Sequence, residues 1–383
     1  MVEVTMARNL YKSIAFPFIR GDNGMLKVRP RLLCRPPILP SHPALHATTR
    51  GQPPDSNYRI KLMMNRFKIP LAVVGLLLLQ GCAQTNSRRL LPQNLPFPGA
   101  STQVLAVYEP WFGHPEHISV GYSSIDPVEI AKQIDDAKSQ GISGFVIDWY
   151  GDREPFLDQS YALIQSTAVH KDFKVAMMWD ESDGDRDQAT DDTLAAFEKF
   201  HRTYLADDSP GRQAYLTYKG RPMIFIFPKG NHTDWDRVRA AVNNWSPPPL
   251  LINEDRPNAF PADFDGIYAW VNPGPKGFKT DGSNWGEDYL RAFYQRMLTQ
   301  DKDKIVVGTA WAGFDDSKAS WSLHRYISQR CGQTFVDTMK LASEYYPENH
   351  PLPFLLIATW NDYEEGTAIE RGLKKCNGGM NGN

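Results

Sequence analysis

The sequence predicts an α/β protein folded as a single (β/α)8 barrel, and three observations point there. From Val104 onward, short apolar runs alternate with stretches of helical character, the pattern of a parallel sheet covered by helices. The runs number eight between Val104 and Trp360, close to the ~250 residues that such a barrel needs. Nearly every run also finishes in an aromatic side chain, a carboxylate or both, whereas the starts at Val104, Gly144, Lys174, Pro222 and Gly266 do not. The C-terminal strand ends of a barrel are where side chains meet a ligand.

The first run, Val104–Trp111, closes on Tyr108, Glu109 and Trp111. Asp126 and Pro127 then start a helix, as a cap followed by proline at the first helical position, and Gln140-Gly141 ends it. The second run, Gly144–Tyr150, ends in Asp148, Trp149 and Tyr150, and the third, Lys174–Glu181, ends in Trp179, Asp180 and Glu181. Thr190–Leu205 places Leu194, Ala196, Phe197 and Tyr204 at helical spacing. Pro222–Phe227 is the fourth run, and a helical stretch follows at Asp234–Trp245. The fifth run, Leu250–Asp255, contributes Glu254, and the sixth, Gly266–Asn272, contributes Trp270. Connections around these two are too short for full helices, so a distorted barrel is expected. Helical stretches at Trp285–Leu298 and Cys331–Tyr346 flank the seventh run, Lys304–Trp311. A doubly wound open sheet is the alternative, but no glycine-rich phosphate loop follows the first run.

The eighth run is unbroken from Phe354 to Ala358 and passes directly into Trp360, Asn361, Asp362, Tyr363, Glu364, Glu365 and Gly366. Aromatic residues make up 12% of the chain and its net charge is -2, so no basic stripe suggests nucleic acid. A ring of tryptophan and tyrosine interleaved with acids suits a carbohydrate cleft. The rings stack on sugar C–H faces, the carboxylates accept hydrogen bonds from hydroxyls, and one pair of acids can cut a glycosidic bond. Candidate sugar-binding residues are therefore Tyr108, Glu109, Trp111, Asp148, Trp149, Tyr150, Trp179, Asp180, Glu181, Glu254, Trp270, Trp360 and Asn361. Asp362 and Glu365, clustered after the eighth run, are candidate catalytic acids, with Asp148 as the alternative second acid. Glu364 is expected to face away, because neighbours in an extended segment point to opposite sides. Asp183, Asp185 and Asp187 lack the glycine and terminal glutamate of a calcium loop, and no histidine pair has metal spacing. No metal or cofactor is called for, and no Gly-x-Ser-x-Gly elbow suggests a serine esterase. The rival readings are a non-catalytic glycan-binding barrel and a transferase or lyase of polysaccharide assembly.

Two stretches strengthen the carbohydrate reading by resemblance. Gly141-Ile-Ser-Gly-Phe-Val-Ile-Asp148-Trp149-Tyr150-Gly151 and Thr359-Trp-Asn-Asp-Tyr-Glu-Glu-Gly-Thr-Ala-Ile-Glu370 resemble paired signatures of glycoside hydrolase families 99 and 71. These are barrel enzymes of α-mannosides and α-1,3-glucans, and the resemblance spans Val104 to about Gly372. It implies that Glu365 is the general acid/base. It also implies that the acid at Asp362 draws the proton from the sugar's own 2-hydroxyl, with retention and no cofactor. The chain has Asp362 where family 99 has glutamate, as family 71 does in a similar Trp-Asn-Asp-Tyr sequence, and Glu364 where family 99 more often has histidine.

Residues 1–63 are rich in scattered proline and arginine and lack a helix or strand period, which reads as a disordered or mis-called extension. Residues 64–82 resemble a bacterial lipoprotein signal: Asn65-Arg66-Phe67-Lys68, an apolar core at Leu71–Leu79, and the lipobox Leu79-Gln80-Gly81-Cys82. The apolar core is too short for a permanent span. Translation is expected to start at Met63 or Met64, Cys82 to carry lipid, and residues 83–103 to form a tether before the catalytic domain at 104–383. Ala83 after the cysteine favours outer-membrane sorting, so the expected place is the bacterial cell envelope, on a lipid anchor alone. Cys331 and Cys376 remain as a candidate disulfide in an oxidising compartment.

Overall fold

The structure, a computed structural model, describes residues 101–230, 233–255, 264–279, 281 and 283–373. Contacts divide the chain into Met1–Gly81 and Cys82–Asn383, and every described residue lies in the second unit. The proposed signal, Cys82 and Cys376 lie outside the described residues.

The apolar runs become eight parallel strands: β1 (Gln103–Tyr108), β2 (Gly144–Trp149), β3 (Lys174–Asp180), β4 (Arg221–Phe227), β5 (Leu250–Glu254), β6 (Gly266–Tyr268), β7 (Ile305–Trp311) and β8 (Phe354–Ala358). They pair in the order β3, β2, β1, β8, β7, β6, β5, β4, and β4 returns to β3 through Met177 opposite Ile224. The sheet is therefore closed into a barrel. Strands buried on both faces need apolar residues at every position, not at alternate ones. Phe354–Ala358 and Gly144–Trp149 are buried throughout.

Six α-helices lie among the described residues: α1 (Pro127–Ser139), α2 (Pro155–Val169), α3 (Arg186–Phe200), α4 (Trp235–Val242), α5 (Glu287–Thr299) and α6 (Gln333–Tyr345). Local chemistry starts three of them. Asp126, Asp185 and Asp234 accept backbone N–H groups at the heads of α1, α3 and α4, satisfying donors that the first helical turn leaves unpaired. Asp185 thus caps a helix. α1 ends before Gly141, whose φ of +84° suits glycine. Most of the connection between β5 and β6 lies outside the described residues, and β6 has only three residues.

Several strands stop earlier than the apolar runs suggest. β1 ends at Tyr108, not Trp111, because the next backbone group bonds a side chain and not a neighbouring strand: Glu109 N–H donates to Asn361 Oδ1 over 2.7 Å. β6 likewise ends at Tyr268, leaving Trp270 to Asn272 in a loop. A two-residue strand at Thr217–Tyr218 pairs antiparallel with the start of β4, and another pair, Phe314–Asp315 with Tyr326–Ile327, rises from the loop after β7. Cys331 is disulfide-bonded.

At Gly266 the backbone is closely hemmed in by neighbouring strands. A Cβ there would lie 2.6 Å from the Ile305 carbonyl and 2.8 Å from Ile252 Cδ1, and backbone cannot retreat cheaply. Gly266→Ala is expected to lower stability by about 1–3 kcal/mol, read as a fall in the urea midpoint at unchanged slope.

Candidate active site

The turn after β8 is built by its own side chains. The chain leaves β8 through a cis Ala358–Thr359 peptide. Thr359 Oγ1 accepts the Asp362 N–H over 2.8 Å. Asp362 Oδ1 then accepts the N–H groups of Glu364 (2.9 Å) and Glu365 (2.8 Å), a local turn typical of aspartate. Asn361 reaches across the barrel seam, accepting from Glu109 N–H and donating to Glu109 O over 2.9 Å. Glu364 points elsewhere: its carboxylate lies 2.8 Å from His117 Nδ1 and accepts the Ile118 N–H over 3.1 Å.

These constraints bring Asp362 and Glu365 to one cavity of about 500 Å³ at the C-terminal strand ends. Glu109, Asp148 and Asp180 enter it from β1, β2 and β3, with Trp111, Tyr150 and Trp270 as aromatic walls. Acids crowded in a buried site repel one another and lose hydration, so their protonated forms are favoured. Burial, then the charges of Asp148, Asp362, Glu365 and Asp180, push the Glu109 carboxyl well above its usual range. Burial and then Glu365 raise Asp362, and burial and then Asp180 raise Asp148. Glu365 is raised by burial, against the Trp321 N–H and the Arg325 charge, which pull it down. Asp180 reaches about 6, burial outweighing the Lys229 ammonium 2.6 Å away. The Oε2 of Glu109 and the Oδ1 of Asp148 are buried without a hydrogen-bond partner among the described residues.

Other sequence candidates pack the barrel and do not line the cavity. Trp149 is fully buried against Trp179, Phe200 and Tyr204, with its N–H on Asp158 over 3.0 Å. Trp179 packs on Phe197 and donates to Thr193 Oγ1 over 3.1 Å. Tyr108 and Trp360 both contact Phe145 in the barrel core. Glu181 accepts the N–H groups of Lys229, Gly230 and Thr233, so it anchors a loop. Glu254 is buried away from the cavity, and Asn361 is the seam clasp. Sequence reasoning missed Lys229, Trp321, Arg325, Asp183, Phe227 and Met178, which all line the cavity. Lys229 lies two positions beyond β4, where the strand-end rule would have found it. Trp321 and Arg325 come from a long loop without periodicity.

The acid cluster has a consequence for stability. A carboxyl whose folded pKa is raised binds more protons folded than unfolded, so its contribution is complete below the unfolded value and lost as pH rises through the folded one. For Asp180 that window runs from 3.8 to about 6, and Glu109, Asp148, Asp362 and Glu365 are raised in the same direction. The melting temperature is expected to rise as pH falls from 7 to 5. A melting temperature that falls over this range would show that groups other than the raised acids govern the pH dependence.

The sequence family fits this geometry. The model of glycosyl hydrolase family 71 matches residues 117–375, more than half of the chain. The chain belongs to glycosyl hydrolase family 71. It is a glycoside hydrolase, and its barrel is shared with solved hydrolases of other families. The family 99 endo-α-mannosidase of Bacteroides thetaiotaomicron, bound to bis-tris-propane, superposes with a TM-score of 0.55 at 21% identity, over 72% of this chain and 88% of that one. A second structure of that family 99 enzyme gives 0.55 at 19%, over 70% and 87%. A glycoside hydrolase-like protein gives 0.50 at 13%, over 73% and 90%. At these identities the likeness bears on the fold. A comparison with curated proteins finds no match.

Proposed function

We propose that this hydrolase cleaves an α-linked glycan of the α-mannan or α-1,3-glucan type, with Glu365 as general acid/base and Asp362 as its partner. The observation that carries the proposal is that one turn presents both carboxyls to one aromatic-walled cavity, where burial favours the protonated form of Glu365. A general acid must hold its proton near neutral pH, and burial shifts Glu365 in that direction. It then protonates the departing glycosidic oxygen. Asp362 Oδ1 is occupied by two backbone N–H groups, so Oδ2 is the oxygen left to take a proton from the sugar's 2-hydroxyl. That hydroxyl oxygen can then bond transiently to the anomeric carbon, and water releases the sugar with retention. Trp111, Tyr150 and Trp270 offer faces for the sugar rings. Family membership supports glycan hydrolysis, and the endo-α-mannosidase likeness supports an α linkage.

We further propose that Cys82 carries a lipid anchor holding the barrel in the cell envelope, on the strength of the lipobox sequence. Among the described residues, no helix is long and apolar enough to cross a membrane.

Residues 83–383, purified and incubated with α-mannans and α-1,3-glucans, are expected to release new reducing ends from one of them. Longer products without new reducing ends would identify a transferase, and calorimetric binding without turnover would identify a glycan-binding barrel.

A further inference from the structure

We infer that Trp321 is a positioning residue for the acid/base, fixing which oxygen of Glu365 carries the catalytic proton. The inference rests on the assignment of Glu365 above. The Trp321 indole N–H donates to Glu365 Oε1 over 2.9 Å. The guanidinium of Arg325 lies farther from the same oxygen, at 3.7 Å. Oε2 accepts no hydrogen bond from any described residue, although Glu365 lines the cavity.

A protonated carboxyl carries its hydrogen on one oxygen, and an oxygen facing an N–H donor is the poor place for it. An indole is a donor only. With Oε1 held by Trp321, the proton of the acid form resides on Oε2, the oxygen free to meet a glycosidic oxygen. The same contact holds the carboxyl plane, which matters because small misplacements of a catalytic group are expensive in rate.

The loop that carries Trp321 is built for fixed delivery. Asp316 accepts from Ser322 Oγ and from the N–H groups of Leu323 and Arg325, and pairs with the Arg325 guanidinium at 2.7 Å. Its neighbour Asp315 donates its N–H to the Glu365 carbonyl over 2.7 Å. Loop and acid are therefore tied at two points, backbone and side chain. The indole stands edge-on to Trp111 at 6.2 Å and to His117 at 6.3 Å. It is nonetheless 41% exposed, more than core packing alone would leave it.

The test compares Trp321→Phe, Trp321→His and the parent on the polymer that the panel shows to be cleaved. Phenylalanine keeps a ring but no donor, while histidine keeps an N–H at similar reach. Trp321→Phe is expected to lower kcat about ten- to a hundredfold with a smaller change in KM. It is also expected to move the alkaline limb of the pH–rate profile to higher pH, because the lost N–H had favoured the ionised acid. Trp321→His should recover part of kcat and return the limb toward the parent's. A Trp321→Phe enzyme with the parent's kcat and profile would overturn the inference. So would a loss with an unmoved alkaline limb and no recovery in Trp321→His, the signature of a merely structural ring. Glu365→Gln, run alongside, separates the two levels: if it stays active, the assignment of Glu365 fails, and if it alone is inactive, only the role of Trp321 fails.

Discussion

Glu365→Gln is expected to reduce turnover by about 10²–10⁴-fold, the range of acid–base contributions, and Asp362→Asn by a comparable factor. The amide cannot give up a proton to the leaving oxygen, and asparagine cannot take one from the 2-hydroxyl. On the proposed mechanism the two acids serve one reaction, so their effects should not add, and the double variant should lose little more than the worse single one. Neither change should unfold the barrel. Both acids sit where burial disfavours their charge, so a neutral amide of the same shape is expected to leave the melting temperature at pH 7 unchanged or higher. Asp362→Asn keeps an Oδ1 that can accept the Glu364 and Glu365 N–H groups. Reducing-end release and thermal melts on the same preparations check both halves. Turnover that survives both substitutions would transfer the acid role to Asp148 or Glu109, which line the same cavity.

Trp149→Ala is expected to cost about 3–5 kcal/mol of stability, whereas Trp270→Ala should weaken glycan binding and leave the fold nearly intact. The two tryptophans both stand at strand ends, yet their surroundings differ. Trp149 is fully buried among Trp179, Phe200 and Tyr204. Its removal leaves a void between barrel and helices and strips Asp158 Oδ1 of an N–H donor. Trp270 lines the cavity and touches Phe227 at 5.6 Å between ring centroids. Denaturant midpoints and calorimetry with the cleaved polymer's oligosaccharides distinguish the cases. Equal stability loss in both would mean that Trp270 is packing too.

This contrast shows where a linear reading stops. The barrel was legible because strands buried on both faces need unbroken apolar runs, and eight such runs survive with helix caps such as Asp126-Pro127 between them. The acids were legible because polar groups directly after a buried strand need a reason to be there. Which aromatics face the cavity was harder. Side chains alternate along a strand, so Asp148 enters the mouth while its neighbour Trp149 turns to the helices. The same parity separates Asp180 from Trp179. Residue type alone therefore overcounted the sugar-facing rings. Trp321 and Arg325 were not legible, because their approach to Glu365 depends on the loop tied through Asp316 and no spacing announces it.

The clasp between Asn361 and the backbone of Glu109 joins residues 252 positions apart. Glu109 arrives with the first strand to be synthesised, and Asp362 and Glu365 arrive after the last. A growing polypeptide therefore contains no assembled set of acids until its final strand slots between β1 and β7. On the assignment proposed above, a product cut short before Phe354 lacks both acids and is expected to release no reducing ends.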